Sequence, residues 1–598
     1  MAGGAVVQII SIGLQDRALT ASPELTYWKG SYKQYAIFAV ESIENLFQTQ
    51  CDFGKKAVAV VGRAGDLLGV SVFQATLPQI AQELAGSTNG TVYARWQDFI
   101  GEQLIQECSI DVGGNPVSRF YGDYMHIWNQ LSLPEGKLEA YYKMIGHTTQ
   151  LTYLTDPSFA DINQPCQAAG VPGQVCVPRQ ALPETTLYIK LLFWFCENPA
   201  MAIPILALQF HEVRINLSVK PLLECLWAVN SLDISGSTSN RQVRAAYAQS
   251  LVSASLYLDY TFCEIDERKF FVSNPHEYLY DQVQCTGDVT VGTALARIPL
   301  ALSHPNQEII FVAQPAVNVD ICASFESGEP LFNQLGIQPF NYTDALDALP
   351  NSIRAFGSPD ALSGSQAFMA NYSVNGINQW GFQQAGGASM PGASTNSQYT
   401  LGTNATNGVV YSTDSVTGAY NVVGGSTAGS TPSTFQAPFA NHSFTSTTSG
   451  SPAVTTIAES YPSIVGLSDP AIFVLAESAF HMHCWGENPV ITARLTFNNT
   501  DRFSDREGSY FDVFQGFQYH TRAADTGINV YSFAISPESL QPSGTLNFSR
   551  TESPVIVITL SSAVIYGNSA AIFRLYGRGK NIFRVVGGMG GTTFAGGA

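Results

Sequence analysis

The sequence predicts an all-β protein with two domains, built as sandwiches or jelly rolls. The chain has 598 residues, more than one hydrophobic core usually supports, so two domains of roughly 250 to 300 residues are expected. Hydrophobic and polar residues alternate along short segments in both halves, as they do in half-buried strands. Helical periodicity is confined to a few short pieces.

Two segments show the alternation most clearly. At 215–220, Ile215, Leu217 and Val219 face one way and the intervening polar residues face the other. A second strand is predicted at 490–497, with a buried face made of Ile491, Ala493, Leu495 and Phe497. Further strands are predicted at β-branched and aromatic runs, which lie at 57–73, 187–195, 251–262, 308–312, 554–560 and 571–575.

Short helices are predicted between the strands of the first half. The segment 121–131 has an i, i+3, i+4, i+7 pattern formed by Tyr124, Ile127, Trp128 and Leu131. A second helix is predicted at 138–145. The apolar run 191–210 is long enough to suggest a membrane span, but Glu197, Asn198 and two prolines interrupt it. We therefore predict two buried strands joined by a turn there.

The composition narrows the function. Charged residues make up 13% of the chain, against roughly 25% in an average soluble domain, so much of the surface must be uncharged and polar. Such a surface suits extensive contact with neighbouring subunits or a loop-rich β protein. The net charge of −18 leaves little affinity for phosphates, so no direct nucleic-acid binding is expected.

Changes in composition along the chain set the expected boundaries. Alternation gives way to a short charged segment near residue 266, so an N-terminal arm is predicted at 1–25, the first domain at 26–266 and the second at 267–598. The arm lacks the basic start and the cleavage site of a signal peptide. Residues 352–451 are rich in Gly, Ser, Thr and Asn with interspersed aromatics, and we predict an ordered loop insertion on the outer face of the second domain.

No enzyme motif is complete in the sequence, and neither a cofactor nor a metal is expected. His211 and His276 begin like a zinc-protease motif but lack the second histidine one turn later. The HMHC segment at 481–484 lacks a further clustered ligand. The ten cysteines include no C-x-x-C pair, and a bridge between Cys166 and Cys176 is an open alternative to free thiols.

One charged cluster lies in the last quarter of the chain. The segment DRFSDREGSYF contains Asp501, Arg502, Asp505, Arg506 and Glu507. Paired carboxylates can perform acid/base chemistry, but adjacent arginines would hold them ionised in salt bridges. We predict a turn that belongs to an interface network.

Two further features leave alternatives open. The candidate glycosylation sites are the N-x-Ser/Thr sequons of the insertion, Asn371, Asn404 and Asn441. The basic residues near the C-terminus either pair with acidic neighbours or contact anionic lipid heads, and they are Arg574, Arg578, Lys580 and Arg584.

Several long blocks resemble the major capsid proteins of the nucleocytoplasmic large DNA viruses, of the iridovirus and phycodnavirus type. The first blocks are IGLQDRALTASPELTYWKGSYKQYAIFAVESIENLF and VGRAGDLLGVSVFQATLP. The first domain carries DVGGNPVSRFYGDYMHIWNQL and LYIKLLFWFCENPAMAIPILALQFHEVRINLSV, and the junction carries TFCEIDERKFFVSNPHEYL. The most specific block is 501–550, whereas the insertion departs from the family pattern.

The resemblance implies two consecutive eight-stranded antiparallel jelly rolls in each chain. It also implies a homotrimer that forms a pseudo-hexagonal capsomer and tiles an icosahedral shell. The implied partners are neighbouring capsomers, penton and minor capsid proteins, and an internal lipid membrane beneath the shell. The implied location is the capsid of the virion, which is assembled inside the infected host cell.

Two other functions stay open as alternatives at this point. A carbohydrate-binding β protein could use the insertion for recognition. A β-sandwich glycosidase rests only on fold analogy and on scattered Asp and Glu residues.

Overall fold

The fold is given by a computed structural model. It describes residues 3–20, 22–23, 27, 34–81, 84, 92–152, 182–230, 242–321, 337–343, 488–498, 500–561, 564–565 and 570–594, and the backbone of six strands between 400 and 460.

The first half of the chain folds into a two-sheet sandwich. Its strands are β1 (Phe38–Asn45), β2 (Lys56–Val60), β3 (Leu67–Leu77), β4 (Tyr93–Trp96), β5 (Ile105–Val112), β6 (Asn115–Tyr121), β7 (Thr185–Lys190), β8 (Ile203–Pro204), β9 (Val213–Val219), β10 (Leu226–Val229) and β11 (Ser253–Cys263). One sheet has the order β1-β11-β3-β7 and the other β2-β9-β5-β6, with β8 added to β3 and a separate β4-β10 pair. Numbered along the chain, the eight main strands form sheets 1-8-3-6 and 2-7-4-5.

The second half repeats this strand order. Its strands are β12 (His276–Cys285), β13 (Val289–Val291), β14 (Leu295–Pro299), β15 (Pro305–Pro315), β16 (Thr400–Thr403), β17 (Val409–Thr413), β18 (Tyr420–Gly425), β19 (Thr434–Gln436), β20 (Ser443–Ser449), β21 (Val454–Ser460), β22 (Val490–Phe497), β23 (Thr500–Glu507), β24 (Asn529–Ser532), β25 (Leu546–Asn547), β26 (Pro554–Leu560), β27 (Ala571–Val586) and β28 (Met589–Thr592). The main sheets are β12-β27-β15-β24 and β14-β26-β22-β23, again 1-8-3-6 and 2-7-4-5. All of these strand pairs are antiparallel. The prediction of two consecutive eight-stranded jelly rolls is confirmed.

The helices are short, and all but the first two connect strands. They are α1 (Gly3–Ile10), α2 (Leu14–Thr20), α3 (Ile100–Leu104), α4 (Gly122–Ser132), α5 (Glu135–Ile145), α6 (Thr149–Thr152), α7 (Trp194–Glu197), α8 (Leu222–Cys225), α9 (Ile265–Ser273) and α10 (Gln515–Tyr519), the last preceded by a π-helical turn at Tyr510–Phe514. The helices α4 and α5 confirm the two predicted ones. The predicted apolar face of α4 is buried at all four positions.

The prediction of two strands at 191–210 is wrong. The segment is largely buried, but it forms α7, two 3₁₀ turns and the two-residue strand β8. Pro199 and Pro204 cannot donate to a strand ladder. The side chain of Asn198 instead accepts a hydrogen bond from the amide of Ala200 at 3.0 Å and starts the first 3₁₀ turn. Among the residues that the structure describes, no helix has the length and apolar character needed to cross a membrane.

The predicted buried face of β22 is correct except at its first position. Ala493 and Leu495 are buried, but Ile491 is half exposed. The pairing of β22 with β26 shifts register between Val490 and Thr492, which is the mark of a β-bulge. A bulge adds one residue to the strand and turns the following side chain over, so Ile491 points away from the core.

One sheet of the second jelly roll is buried on both of its faces. Along β15, Ile309 and Phe311 pack in the core between the two sheets of the second roll. The alternate residues Ile310 and Val312 pack in the hydrophobic core of the first roll, together with Tyr576 of β27. Because successive side chains of a strand point to opposite faces, this sheet joins the two rolls through one continuous apolar interior.

A glycine begins the helix that leaves the fifth main strand in each roll. A Cβ atom on Gly122, directly after β6, would overlap the backbone carbonyl oxygen of Ile105 at the start of β5. A Cβ atom on Gly508, directly after β23, would overlap the backbone carbonyl oxygen of Val490 at the start of β22. In both rolls the absent side chain lets the helix start against the fourth strand.

We expect Gly122→Ala to lower the free energy of unfolding by about 2 kcal/mol or more, because the backbone must move to admit the methyl group. Gly136→Ala in α5 is the matched control, since nothing lies within 4 Å of its Cβ position. Replacing a helical glycine of this kind by alanine should raise the free energy of unfolding by roughly 0.5 to 1 kcal/mol. Denaturant unfolding of both variants measures the difference, and equal effects would contradict the steric account.

Candidate assembly surfaces

The two jelly rolls meet where α4 of the first roll lies against the doubly buried sheet of the second. The guanidinium carbon of Arg578 lies 3.9 Å from the ring centroid of Trp128, a cation–π contact. The rings of Tyr124 and Tyr576 have centroids 5.4 Å apart. The hydroxyl of Tyr280 donates a hydrogen bond to the backbone carbonyl of Val117 at 3.0 Å. The contact is therefore aromatic and well packed.

The same contact contains a network of buried charges. Arg578 lies 2.9 Å from a carboxylate oxygen of Asp281 and 3.6 Å from one of Glu308, and Lys580 lies 2.6 Å from the other oxygen of Asp281. Arg574 reaches Asp123 of α4 at 2.7 Å. A buried cation is tolerated only with such partners. Of these pairs, Arg574–Asp123 joins the two rolls, and the others lie within the second roll.

The basic residues near the C-terminus are thus paired with acidic ones, as one of the two alternatives predicted. Arg574, Arg578 and Lys580 have mostly buried side chains, and Arg584 lies 3.0 Å from Glu277 at the surface. The lipid alternative is wrong for the three buried residues, because their charges are matched inside the protein.

His520 lies at the centre of the network between two carboxylates. Its Nε2 atom is 3.1 Å from Glu308 and its Nδ1 atom is 3.0 Å from Glu538. Burial alone would lower the pKa of His520, but the charge of Glu308 and hydrogen bonds to Glu308 and Glu538 outweigh it and raise the pKa to about 9. The imidazole is therefore an imidazolium at neutral pH.

The two carboxylates show the complementary shift. Burial would raise the pKa of Glu308 and of Glu538, but the pairing with His520 outweighs burial and lowers both pKa values. The three groups therefore hold one another in their charged forms. All three groups are charged only within a range of pH. Protonation of the carboxylates ends this range on the acid side, and deprotonation of the imidazolium ends it on the alkaline side.

The predicted interface cluster lies on β23, which is the edge strand of its sheet. The predicted turn is wrong, because the cluster forms the strand itself, and its five charged residues are exposed there: Asp501, Arg502, Asp505, Arg506 and Glu507. The cation between the two aspartates is Arg494 of β22, at 3.9 Å from Asp501 and 3.8 Å from Asp505. Charges on an edge strand oppose uncontrolled strand pairing.

An exposed apolar surface follows the charged strand directly. Val513, Phe514 and Phe517 are 59%, 50% and 79% exposed on the helical segment 510–519. We call these three residues the aromatic patch. The guanidinium carbon of Arg506 lies 4.9 Å from the ring centroid of Tyr510 and links the patch to β23. Apolar residues rimmed by charge are typical of protein interfaces. The sequence analysis missed this surface, although the aromatic spacing of YFDVFQGF was visible.

Exposed apolar residues also lie at the N-terminal side of the first roll. Phe38 and Val40 are exposed on β1, the edge strand of its sheet. Further exposed apolar residues occur on α1 and α2 and between them, and include Val6, Val7, Ile9, Ile10, Ile12, Leu14 and Leu19. Exposed apolar residues therefore occur on both rolls.

The remaining candidates have ordinary structural roles or lie outside the described residues. His211 Nδ1 lies 2.9 Å from the backbone carbonyl of Gly590, and His276 Nε2 lies 2.9 Å from that of Phe271. Within the described ranges, no cluster of His, Cys, Asp and Glu could hold a metal ion. The candidates outside those ranges are Asn371, Asn404, Asn441, Cys166, Cys176, His481, His483 and Cys484.

The shifts at His520 predict how stability depends on pH. A raised pKa contributes stability that is fully present below pH 6.5 and is lost as the pH rises through about 9, a loss of about 3 kcal/mol. We expect His520→Gln to remove this alkaline decrease in the free energy of unfolding, measured by denaturant titrations from pH 7 to pH 10. On the acid side, the lowered pKa values of Glu308 and Glu538 predict that stability is lost below about pH 4.5. An unchanged alkaline slope in the variant would contradict the assignment.

Comparison with known proteins identifies the family. Residues 26–264 match the family described as the N-terminus of the major capsid protein, and residues 267–591 match the large eukaryotic DNA virus major capsid protein. The chain is 45% identical to the major capsid protein of Phaeocystis pouchetii virus over the whole of both chains. It is 43% identical to that of Chrysochromulina ericina virus, over 99% of this chain and all of the relative.

A solved structure agrees with the fold. The PBCV-1 virus capsid superposes with a TM-score of 0.54 at 20% identity, over 96% of this chain and all of the other. The resemblance predicted from the sequence blocks is confirmed, and so is the double jelly-roll fold. The chain belongs to the major capsid proteins of the large eukaryotic DNA viruses and is a structural protein of the capsid.

Proposed function

We propose that three copies of the chain form a trimeric capsomer, which tiles the icosahedral shell of a large double-stranded DNA virus. The observation that supports this most directly is the repeated strand order, 1-8-3-6 and 2-7-4-5, in two rolls packed side by side. Three such chains in a closed ring place six similar sandwiches around one axis. The outline of the ring is pseudo-hexagonal, and hexagonal blocks tile a surface.

The capsomer has protein partners and no chemistry of its own. Its neighbours in the shell are other capsomers, with penton and minor capsid proteins at the vertices and beneath the shell, above an internal lipid membrane. Assembly takes place inside the infected host cell. Family membership supports a non-enzymatic role, and the two zinc-protease-like histidines are engaged with backbone carbonyls.

The proposed domain division follows the strand pairing. We divide the chain into an arm at 1–25, a first roll at 26–266 and a second roll at 267–598. In support, β1 to β11 pair with one another, and β12 to β28 pair with one another, with α9 between the two sets. The predicted insertion at 352–451 is assigned to the second roll by its position in the sequence, and apart from the backbone of short strands it lies outside the described residues.

The mass of the purified assembly tests the trimer. One chain has a mass of 64.5 kDa, so light scattering behind a sizing column should give three times this value. Electron micrographs of the same sample should show six-lobed particles. A monomeric or dimeric mass under conditions where the protein is folded would contradict the proposal.

The charged edge strand β23 is proposed to lie in the contact between copies. We expect Arg502→Ala to raise the midpoint concentration for trimer dissociation by about tenfold or more. The melting temperature of the monomer should stay unchanged, because Arg502 is exposed. The matched control is Lys269→Ala, an exposed basic residue on α9. Wild-type trimer stability in Arg502→Ala would remove β23 from the interface.

A further inference from the structure

A partly open cavity of about 420 Å³ lies between the two rolls of one chain. The first roll lines it with the turn before α3, with α4 and α5, and with His147 just after α5. The second roll lines it with segments 338–342 and 522–526. Clefts of roughly 300 to 1,000 Å³ are the usual size of small-molecule sites. The cavity therefore has the size of a binding site, and its lining residues decide what it can hold.

Aromatic rings from both rolls line the cavity and contact one another. The ring of Phe99 stacks on that of His147, with centroids 4.0 Å apart and an angle of 4° between the planes. Phe99 also meets Tyr142 of α5 and Phe340 of the second roll edge to face, with centroids 5.5 Å and 5.8 Å away. Such rings attract a cation to their electron-rich faces, most strongly where water is excluded.

The backbone holds Phe99 in a conformation that a bulky residue rarely adopts. Its φ and ψ angles are 53° and 45°, in the left-handed region. A Cβ atom is crowded there, so glycine or asparagine is the usual residue. Strained residues of this kind cluster at ligand sites. Here the strain keeps an aromatic ring at the wall of the cavity.

Hydrogen bonds hold the second-roll side of the cavity in place. The buried side chain of Gln314 donates from Nε2 to the backbone carbonyls of Gln338 and Pro339, each at 2.9 Å. The guanidinium of Arg522 donates from Nε to the backbone carbonyl of Gln130 in α4 at 2.8 Å, and it also bonds the side chain of Gln130. A wall fixed in this way loses little freedom when a ligand binds.

The charges around the cavity are mainly negative. Its lining includes three carboxylates, which belong to Asp98, Glu135 and Asp525. The buried Asp98 is offset by Arg95 at 2.9 Å, and the exposed Glu135 is offset by Arg522 at 3.8 Å. The excess negative charge is therefore that of Asp525, which is exposed at the rim. Rings inside and a carboxylate at the rim suit a cation with an apolar body and disfavour an anion.

We propose that this cavity binds a small organic cation, a substituted ammonium ion that carries an apolar body. The apolar body lies among the rings of Phe99, Tyr142 and Phe340, and the charge lies toward Asp525. Because the lining comes from both rolls, a bound cation joins them and stabilises the folded chain by mass action. The site is complete within one chain, so it does not depend on the proposed trimer.

Isothermal titration of the purified protein with benzyltrimethylammonium chloride tests the site. The cation should bind once per chain with a dissociation constant on the order of 0.1 mM, which is a usual strength for a ligand of this size. It should also raise the melting temperature. Benzyl alcohol keeps the ring and lacks the charge, so it should bind about tenfold more weakly. No binding of the cation, or equal affinity for the two compounds, would overturn the proposal.

Two variants test the charge and the ring separately. Asp525→Asn removes the carboxylate at the rim and should weaken binding of benzyltrimethylammonium about threefold. Phe340→Leu keeps an apolar side chain and removes the ring, and it should weaken binding about fivefold or more. Asp525 is exposed, so its variant should fold normally and decides the matter even where Phe340→Leu is unstable.

The matched control is Asp266→Asn. Asp266 lies on α9 outside the lining of the cavity, and its side chain is 91% exposed. The control makes the same change in the net charge of the chain and should bind the cation as the wild type does. Wild-type affinity in Asp525→Asn, or an equal loss of affinity in Asp266→Asn, would show that the cation does not occupy this cavity.

Discussion

The structure depends on the burial of one sheet on both of its faces. Sheet β12-β27-β15-β24 closes the core of its own roll with one face and receives the first roll with the other. For this reason β15 is buried along nearly its whole length. A strand in a single sandwich differs, because one of its faces is exposed to solvent. The two rolls are therefore one rigid block, and a shell made of such blocks resists bending at the junction.

The junction combines apolar packing with buried charge, and the two parts have different physical roles. The apolar residues supply most of the free energy, because area removed from water is stabilising in any orientation. The pair between Arg574 of the second roll and Asp123 of the first is made across the junction, and an unpaired buried ion is costly. This pair and the contact of Arg578 with Trp128 therefore favour one arrangement of the two rolls.

Much of the fold could be predicted from the sequence, because local periodicity reports which face is buried. The strand β22 and the apolar face of α4 follow from it directly. Ile491 was mispredicted because a bulge depends on pairing with a distant strand. The strand at Thr500–Glu507 was missed because an edge strand exposed on both sides shows no alternation. The sequence of the aromatic patch has a helical pattern. This pattern does not indicate whether the residues that bury the patch belong to the same chain or to another copy.

The most direct test of the account is a side-chain-resolution structure of the assembled capsomer by electron cryomicroscopy. The account predicts that Phe514 and Phe517 of each copy are covered by a neighbouring copy, since exposed apolar residues rimmed by charge are typical of interfaces. It also predicts six rolls in one ring. A capsomer in which these two phenylalanines face solvent, or in which copies meet through other surfaces, would contradict it.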